Sequence, residues 1–339
     1  MKSRCNLFAL CAPVVTATLL YAGLATVATP ALAASPSAST VTRTLVIEPD
    51  QGLTPIYNLI QSANSTIDMT MYELVDTQAQ SLLCQAAANG VAVRVILDQN
   101  LEYNNNLSAY NQLNSCGATA VWAWTKYDAT HEKSIVVDGT TAAIMSLNLT
   151  SRYYSTSRDF AVIENDAADV AAIESTFSAD FASQTITPPV GDDLVWSPTN
   201  SKTQLLNVIN SAQSTLQVEN EEMSYSSIVT ALENAAKRGV AVTVCMTNDA
   251  NDYATEFNAL KKAGVNITTY AETAPLYIHA KAIVADYGTA NARAFVGSEN
   301  FSSASLNYNR ELGLVTTDAT ILSQLNTTLS SDYAGGTAW

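Results

Sequence analysis

Histidine is the scarcest chemical resource in this chain: there are two in 339 residues, His131 and His279. That excludes histidine-rich metal centres and leaves any imidazole chemistry to these two rings. Cations are also few, 16 Lys and Arg against 31 Asp and Glu, for a formal net charge of −15. Such a surface repels polyanions at a distance and offers little material for a basic track along a nucleic-acid backbone. Charged residues make up only 14% of the chain, so Ser, Thr, Asn and Gln must cover much of the surface. Of five cysteines, Cys5 and Cys11 lie close to the start, and Cys84, Cys116 and Cys245 lack zinc spacing. Neither a metal nor a cofactor is therefore expected. A Cys84–Cys116 bridge, with Cys245 buried and free in the apolar run Val242–Met246, is one reading; three separate buried thiols is the other.

Long apolar runs are missing after the first thirty-odd residues, so no later segment is expected to span a bilayer. The start itself reads as a secretory signal over residues 1–33: Lys2 and Arg4, an apolar stretch through Leu20 and Leu24, then Ala31-Leu32-Ala33 as a small-residue cleavage site. The mature protein is expected to be exported. With 47% hydrophobic residues it has the material for a sizeable core.

What is present is present twice. His131-Glu-Lys133-Ser-Ile-Val-Val-Asp138 is echoed by His279-Ala-Lys281-Ala-Ile-Val-Ala-Asp286. Ser146-Leu-Asn148 follows the first string, and Gly297-Ser298-Glu-Asn300 follows the second. Eleven residues past each asparagine stands an acid, Asp159 or Glu311, preceded by Arg158 or Arg310. At an offset of about 149 residues, Leu45–Pro49 meets Leu194–Pro198 and the Gly-Val-Ala-Val run from Gly90 meets that from Gly239, which marks an internal duplication. The domains expected are an N-terminal linker at 34–44, a first repeat at 45–187, a linker at 188–193 and a second repeat at 194–339.

Each repeat reads as a helix (57–63; 203–212), a strand (66–71; 215–219), a second helix, and then the Gly-Val-Ala-Val strand. After a further helix and loop, consecutive strands carry the H-x-K and S-x-N segments. The pattern predicts an α/β fold of two sandwich halves, each on a mainly parallel sheet that turns mixed where strands adjoin directly, packed about a pseudo-two-fold axis. With H-x-K on a strand, His131 and Lys133 share a face, as do His279 and Lys281. An imidazole beside a fixed ammonium suits a phosphate better than a metal: one group attacks while the other holds an anionic oxygen. Two copies face to face would put histidines on opposite sides of one phosphorus, as in-line displacement requires.

The duplicated H-x-K-x4-D followed by G-S-x-N resembles the signature of the phospholipase D superfamily, and the likeness covers nearly all the chain beyond the signal. The second copy matches in full, whereas the first has Met145 where glycine is expected, which bears on close backbone approach to a phosphate. The resemblance implies a phosphohistidine intermediate on one histidine, carried over to His131, with His279 as general acid. It implies Lys133, Lys281, Asp138, Asp286, Asp159 and Glu311 as further catalytic residues, and Ser146, Asn148, Ser298 and Asn300 as hydrogen-bond donors to phosphoryl oxygens.

Several of these positions have ordinary readings beside the functional one. Asp138 and Asp286 also suit turns after strands. Asp159 and Glu311 either orient the histidines or pair with Arg158 and Arg310. Glu73 and Glu222 coincide in the duplication and edge the cleft or simply face solvent. Trp122, Trp124, Tyr127 and Tyr277 precede the motifs as strand residues or as a cage for a quaternary ammonium. The acidic charge and the export signal favour a phospholipid substrate over nucleic acid. The activity expected is phospholipase D hydrolysis of phosphatidylcholine to phosphatidate and choline, with headgroup exchange as an accompanying reaction. The alternatives are a secreted nuclease or other phosphodiesterase, and an inactive lipid-binding module. With both repeats in one chain a monomer suffices.

Overall fold

The structure is a computed structural model that describes residues 41–273 and 276–339. The expected signal at 1–33 and residues 34–40 of the expected linker lie outside the described residues. The rest of that linker is not all linker, because the first strand already begins at Arg43.

The first repeat runs β1 (Arg43–Glu48), α1 (Thr54–Gln61), β2 (Thr66–Met71), α2 (Thr77–Ala88), β3 (Ala92–Leu97), α3 (Tyr103–Ser115), β4 (Thr119–Trp122), β5 (Ser134–Val137), β6 (Thr141–Met145), β7 (Ser157–Glu164) and α4 (Ala167–Phe181). The second runs β8 (Leu194–Ser197), α5 (Ser201–Ser211), β9 (Thr215–Glu219), α6 (Ser226–Lys237), β10 (Ala241–Asn248), α7 (Ala254–Ala263), β11 (Asn266–Ala271), β12 (Tyr277–Ile278), β13 (Ala282–Ala285), β14 (Arg293–Gly297), α8 (Ser303–Asn307), β15 (Glu311–Thr316), α9 (Ala319–Gly335) and β16 (Thr337–Ala338). The sheet orders are β1-β7-β6-β5-β2-β3-β4 and β8-β15-β14-β13-β9-β10-β11, so the duplication holds strand for strand. β16 extends the second sheet beyond β11, and β12 leaves its own repeat to pair with β7 of the first.

The sheets are mixed, and the expectation of mainly parallel strands needs correcting. Within each repeat only β2-β3-β4 and β9-β10-β11 are parallel; from β2 to β1 and from β9 to β8 every pairing is antiparallel. A helix carries the chain from β2 to β3 and from β3 to β4, whereas β5 and β6 join through a tight turn, which returns a strand antiparallel.

Two-residue alternation sorts the side chains into three cores. Ile135, Val137, Ala143 and Met145 point to the helices of the first repeat, and Val218, Ile283 and Phe295 to those of the second. The intervening residues, among them Val136, Ala142, Ile144, Ala282, Val284, Ala294 and Val296, meet in a shared core with α4 and α9. Alanines there let the two sheets approach face to face. That approach positions the site, because the strand ends carrying the motifs of the two repeats arrive at one place.

Candidate active site

The H-x-K segments precede their strands rather than lie on them, since β5 begins at Ser134 and β13 at Ala282. Each is held by backbone of the other repeat. The N–H groups of His131 and Glu132 both donate to the Arg310 carbonyl at 2.9 Å. In mirror fashion β12 runs parallel to the start of β7, and the His279 N–H donates to the Arg158 carbonyl at 3.2 Å.

The side chains cross as well. His131 Nδ1 lies 2.8 Å from Glu311 Oε2, and His279 Nδ1 lies 2.7 Å from Asp159 Oδ1. A carboxylate only accepts, so Nδ1 carries a proton in each ring, which leaves Nε2 to accept when the ring is neutral and to donate when it is protonated. The acids therefore orient histidines, each in the opposite repeat. Their neighbouring arginines do not pair with them but brace the same junction: Arg158 makes a two-point ion pair with Asp332 of α9 at 2.6 and 3.0 Å, and Arg310 one with Asp180 of α4 at 2.7 and 3.1 Å.

Both histidines open into one cavity of about 840 Å³, which Asn148, Asp159 and Asn300 also line. Lys133 and Lys281 are fully buried behind it, each donating to the carbonyl of its own histidine, at 2.6 and 2.5 Å. Burial drives the Lys133 ammonium down to about 7, although Glu311 opposes the shift. Burial likewise lowers His131, again against the pull of Glu311. Glu311 would be raised by its own burial, but His131 and Lys133 outweigh that and hold it below the ordinary carboxylate range.

Other assignments change. Asp138 and Asp286 do not line the cavity. At the far ends of β5 and β13, in left-handed conformation (φ 53° for both), they accept the N–H groups of Asn64, Ser65 and Thr66 and of Gln213, Ser214 and Thr215, capping the starts of β2 and β9. These hydrogen bonds, with those from the Ser65 and Ser214 hydroxyls, hold both carboxylates below their usual range although burial opposes it. Ser146 and Ser298 are also buried and do not line the cavity. Ser146 Oγ donates to Asp159 Oδ1 at 2.6 Å, and Ser298 Oγ accepts the Leu312 N–H at 3.2 Å.

Met145 is accommodated by sheet packing. At Gly297 a Cβ would lie 2.5 Å from Gly313 Cα and 2.9 Å from the Phe295 ring. The first repeat has Ala143 and Ala161 at those two positions, so a large side chain at 143/295 is exchanged for one at 145/297.

The aromatic residues lining the cavity are mostly not the ones expected. Trp122 stacks on Tyr110 at 4.3 Å, Trp124 packs edge-on to Tyr127, and Tyr127 bonds Arg310. Only Tyr277 of the expected four lines the cavity, joined by Tyr72, Tyr153, Tyr154 and Tyr253. Glu222 lines it, whereas Glu73 is buried against Arg152 at 3.0 Å. Sequence reading missed Tyr72 and Glu221. The first packs edge-on to His131 at 4.6 Å, and the second lies 3.0 Å from Lys281 Nζ. Their place in the duplication, one residue before Glu73 and Glu222, was the available signal. Cys84 and Cys116 are disulfide-bonded, tying α2 to the end of α3, and Cys245 is free and buried.

A family model described as "Cardiolipin synthase, PLD-like domain" matches residues 56–181 and again residues 205–333. Among solved structures, phosphatidylserine synthase from Haemophilus influenzae Rd KW20 superposes with a TM-score of 0.68 at 12% identity, covering 88% of this chain and 87% of that one. Polyphosphate kinase from Porphyromonas gingivalis superposes with a TM-score of 0.66 at 15% identity over 86% of this chain; this chain spans 50% of its length. No curated protein sequence matched. Since the family model fits each repeat in turn and together these matches span more than half of the sequence, the chain belongs to the phospholipase D superfamily, whose members act on phosphodiester bonds.

Proposed function

We propose that the protein is an exported phospholipase D that hydrolyses the headgroup ester of phosphatidylcholine, releasing choline and leaving phosphatidate. The observation that carries this reading is the crossed pair: two histidines, each held on Nδ1 by an acid of the opposite repeat, opening into one tyrosine-lined cavity. His131 Nε2 attacks phosphorus, and the bond from phosphorus to the choline oxygen breaks as His279 Nε2 gives that oxygen its proton. His279 then takes a proton from water, whose oxygen attacks phosphorus as the bond to His131 breaks, freeing phosphatidate and restoring both rings. An alcohol in place of that water gives headgroup exchange. The order of roles follows the environments. Burial holds His131 in the neutral, nucleophilic form, while His279 has a carboxylate near each ring nitrogen, Glu221 lying 3.5 Å from Nε2.

Lys133, Lys281, Asn148 and Asn300 are the groups available to phosphoryl oxygens. The tyrosines suit a quaternary ammonium. The acids on the cavity wall, Glu48, Glu222, Asp249, Asp252 and Glu272, suit a cationic headgroup better than a polyanion. The disulfide is consistent with an oxidising compartment, and both repeats in one chain with a monomer working at a lipid surface. The purified protein should release choline from phosphatidylcholine vesicles and no nucleotides from single- or double-stranded DNA. His131→Ala and His279→Ala should each abolish turnover; choline release by either variant would overturn the two-histidine mechanism. Nucleotide release without choline release would favour a nuclease, and neither product an inactive lipid-binding module.

A further inference from the structure

Tyr72 and Glu221 are counterparts. Each stands two residues before the position, Leu74 or Met223, that bridges to the residue following the motif asparagine, Leu149 or Phe301. In the first repeat the position holds a neutral ring, which covers the Lys133 ammonium at 4.8 Å. In the second it holds an anion. A single oxygen, Glu221 Oε2, accepts from Lys281 Nζ at 3.0 Å and from Asn300 Nδ2 at 3.4 Å, and lies 3.5 Å from His279 Nε2. The other oxygen is held by the Tyr277 hydroxyl at 3.2 Å. Burial alone would raise this carboxyl, but Lys281 and His279 outweigh it and keep it well below the usual range.

Lysine, asparagine and histidine are the three groups with which the second repeat would grip a phosphoryl group, and one carboxylate oxygen meets all three. We propose that Glu221 is an internal substitute for a phosphoryl oxygen, which a bound phosphodiester must displace, so that the site discriminates against small free oxyanions such as inorganic phosphate. This rests on the assignment of the cleft to phosphoryl chemistry. A lipid diester brings contacts remote from phosphorus that offset the displacement, whereas a bare oxyanion has only the charges of the site to draw on. Tyr277 acts as the latch, and the first repeat, with Tyr72, needs no such displacement.

The test is calorimetric titration of the full chain with sodium orthophosphate, which requires no turnover. Glu221→Gln should bind orthophosphate at least about tenfold more tightly than the unaltered protein, since a like charge leaves the subsite. Adding Lys281→Met to Glu221→Gln should remove the gain. Tyr277→Phe should give a smaller gain with the carboxylate retained, and serves alone if Glu221→Gln does not fold. A purely supporting role for Glu221 predicts the opposite sign, because losing the carboxylate would loosen Lys281. Unchanged or weaker binding in folded Glu221→Gln overturns the proposal, as does a gain that survives the double substitution. Failure to release choline from any vesicle would instead count against the lipid reading, leaving the phosphate result to be judged separately.

Discussion

Asp159 of the first repeat accepts a hydrogen bond from Nδ1 of His279 in the second at 2.7 Å, and the same oxygen receives the Ser146 hydroxyl at 2.6 Å. Glu311 is braced differently: Oε2 takes His131 Nδ1 at 2.8 Å, while Oε1 takes the Asn309 amide at 3.1 Å. Neither repeat supplies the carboxylate that holds Nδ1 of its own histidine, so neither repeat alone would fix that nitrogen.

That crossing predicts which substitutions uncouple folding from turnover. Asp159→Asn and Glu311→Gln retain size but lose the charge that fixes the ring tautomer, and each should cut kcat by roughly 10³–10⁴. Thermal unfolding should move little. A variant that keeps kcat within about threefold of the unaltered protein would show that its acid does not orient the ring.

Activity should peak below neutral pH. His131 is lowered from its ordinary value and must be neutral to attack, so its limb lies on the acid side. Lys133, driven to about 7 by burial, must be charged to hold an anionic oxygen, so kcat/KM should fall as pH rises past about 7. A bound phosphate favours the ammonium, so the alkaline limb of kcat should lie above that of kcat/KM. Coincident alkaline limbs, or one first appearing near pH 10, would remove Lys133 from that role.

Much of this fold is legible in the sequence, because local patterns encode it. The strands at Thr66–Met71 and Thr215–Glu219 lie where alternation places them, and the duplicated motifs show that two repeats share one site. The crossings are not legible. Whether Asp159 turns to its own histidine or to the other depends on two sheets meeting through Ala142, Ala282 and Ala294, a long-range fact with no local period. Asp138 shows the same limit: a motif records that an acid stands five residues past the lysine, not that its partners are the N–H groups of Asn64 to Thr66. Tyr72 and Glu221 differ in type at one duplicated position, so comparing the repeats marks the position, beside Glu73 and Glu222, but not what either residue does there.

The exchange between Met145 and Gly297 can be measured directly. Gly297→Ala places a Cβ against the Glu299 carboxyl, Gly313 and Phe295 in a buried sheet and should cost about 1–3 kcal/mol by overpacking. Combining it with Phe295→Ala should recover part of that loss, since the first repeat carries Ala143 beside Met145. Urea unfolding of the two variants tests this. Gly297→Ala as stable as the parent would mean that the sheets have slack at this point.

Buried acids set the final prediction. Burial raises Glu48, Glu132 and Glu164 to about 7, and raises Glu219 and Glu299 well above the ordinary carboxylate value. Unfolded, these groups titrate near pH ~4.3, so between pH ~5 and ~7 the folded chain binds more protons than the unfolded one and stability falls as pH rises. His131, lowered, opposes them with a single proton. Asp138, Asp286 and Glu311, all lowered, lose their contribution only as pH falls through the acid range. The protein should therefore unfold at a higher temperature at pH 5 than at pH 7. Glu299 shows the cause in isolation: both its oxygens are buried without a partner, and the first repeat has Leu147 in its place. Glu299→Leu should stabilise the protein at pH 7 by about 1–3 kcal/mol and flatten the pH dependence. An equal loss of stability at pH 5 and pH 7 in this variant would mean that Glu299 is charged and paired in the folded chain.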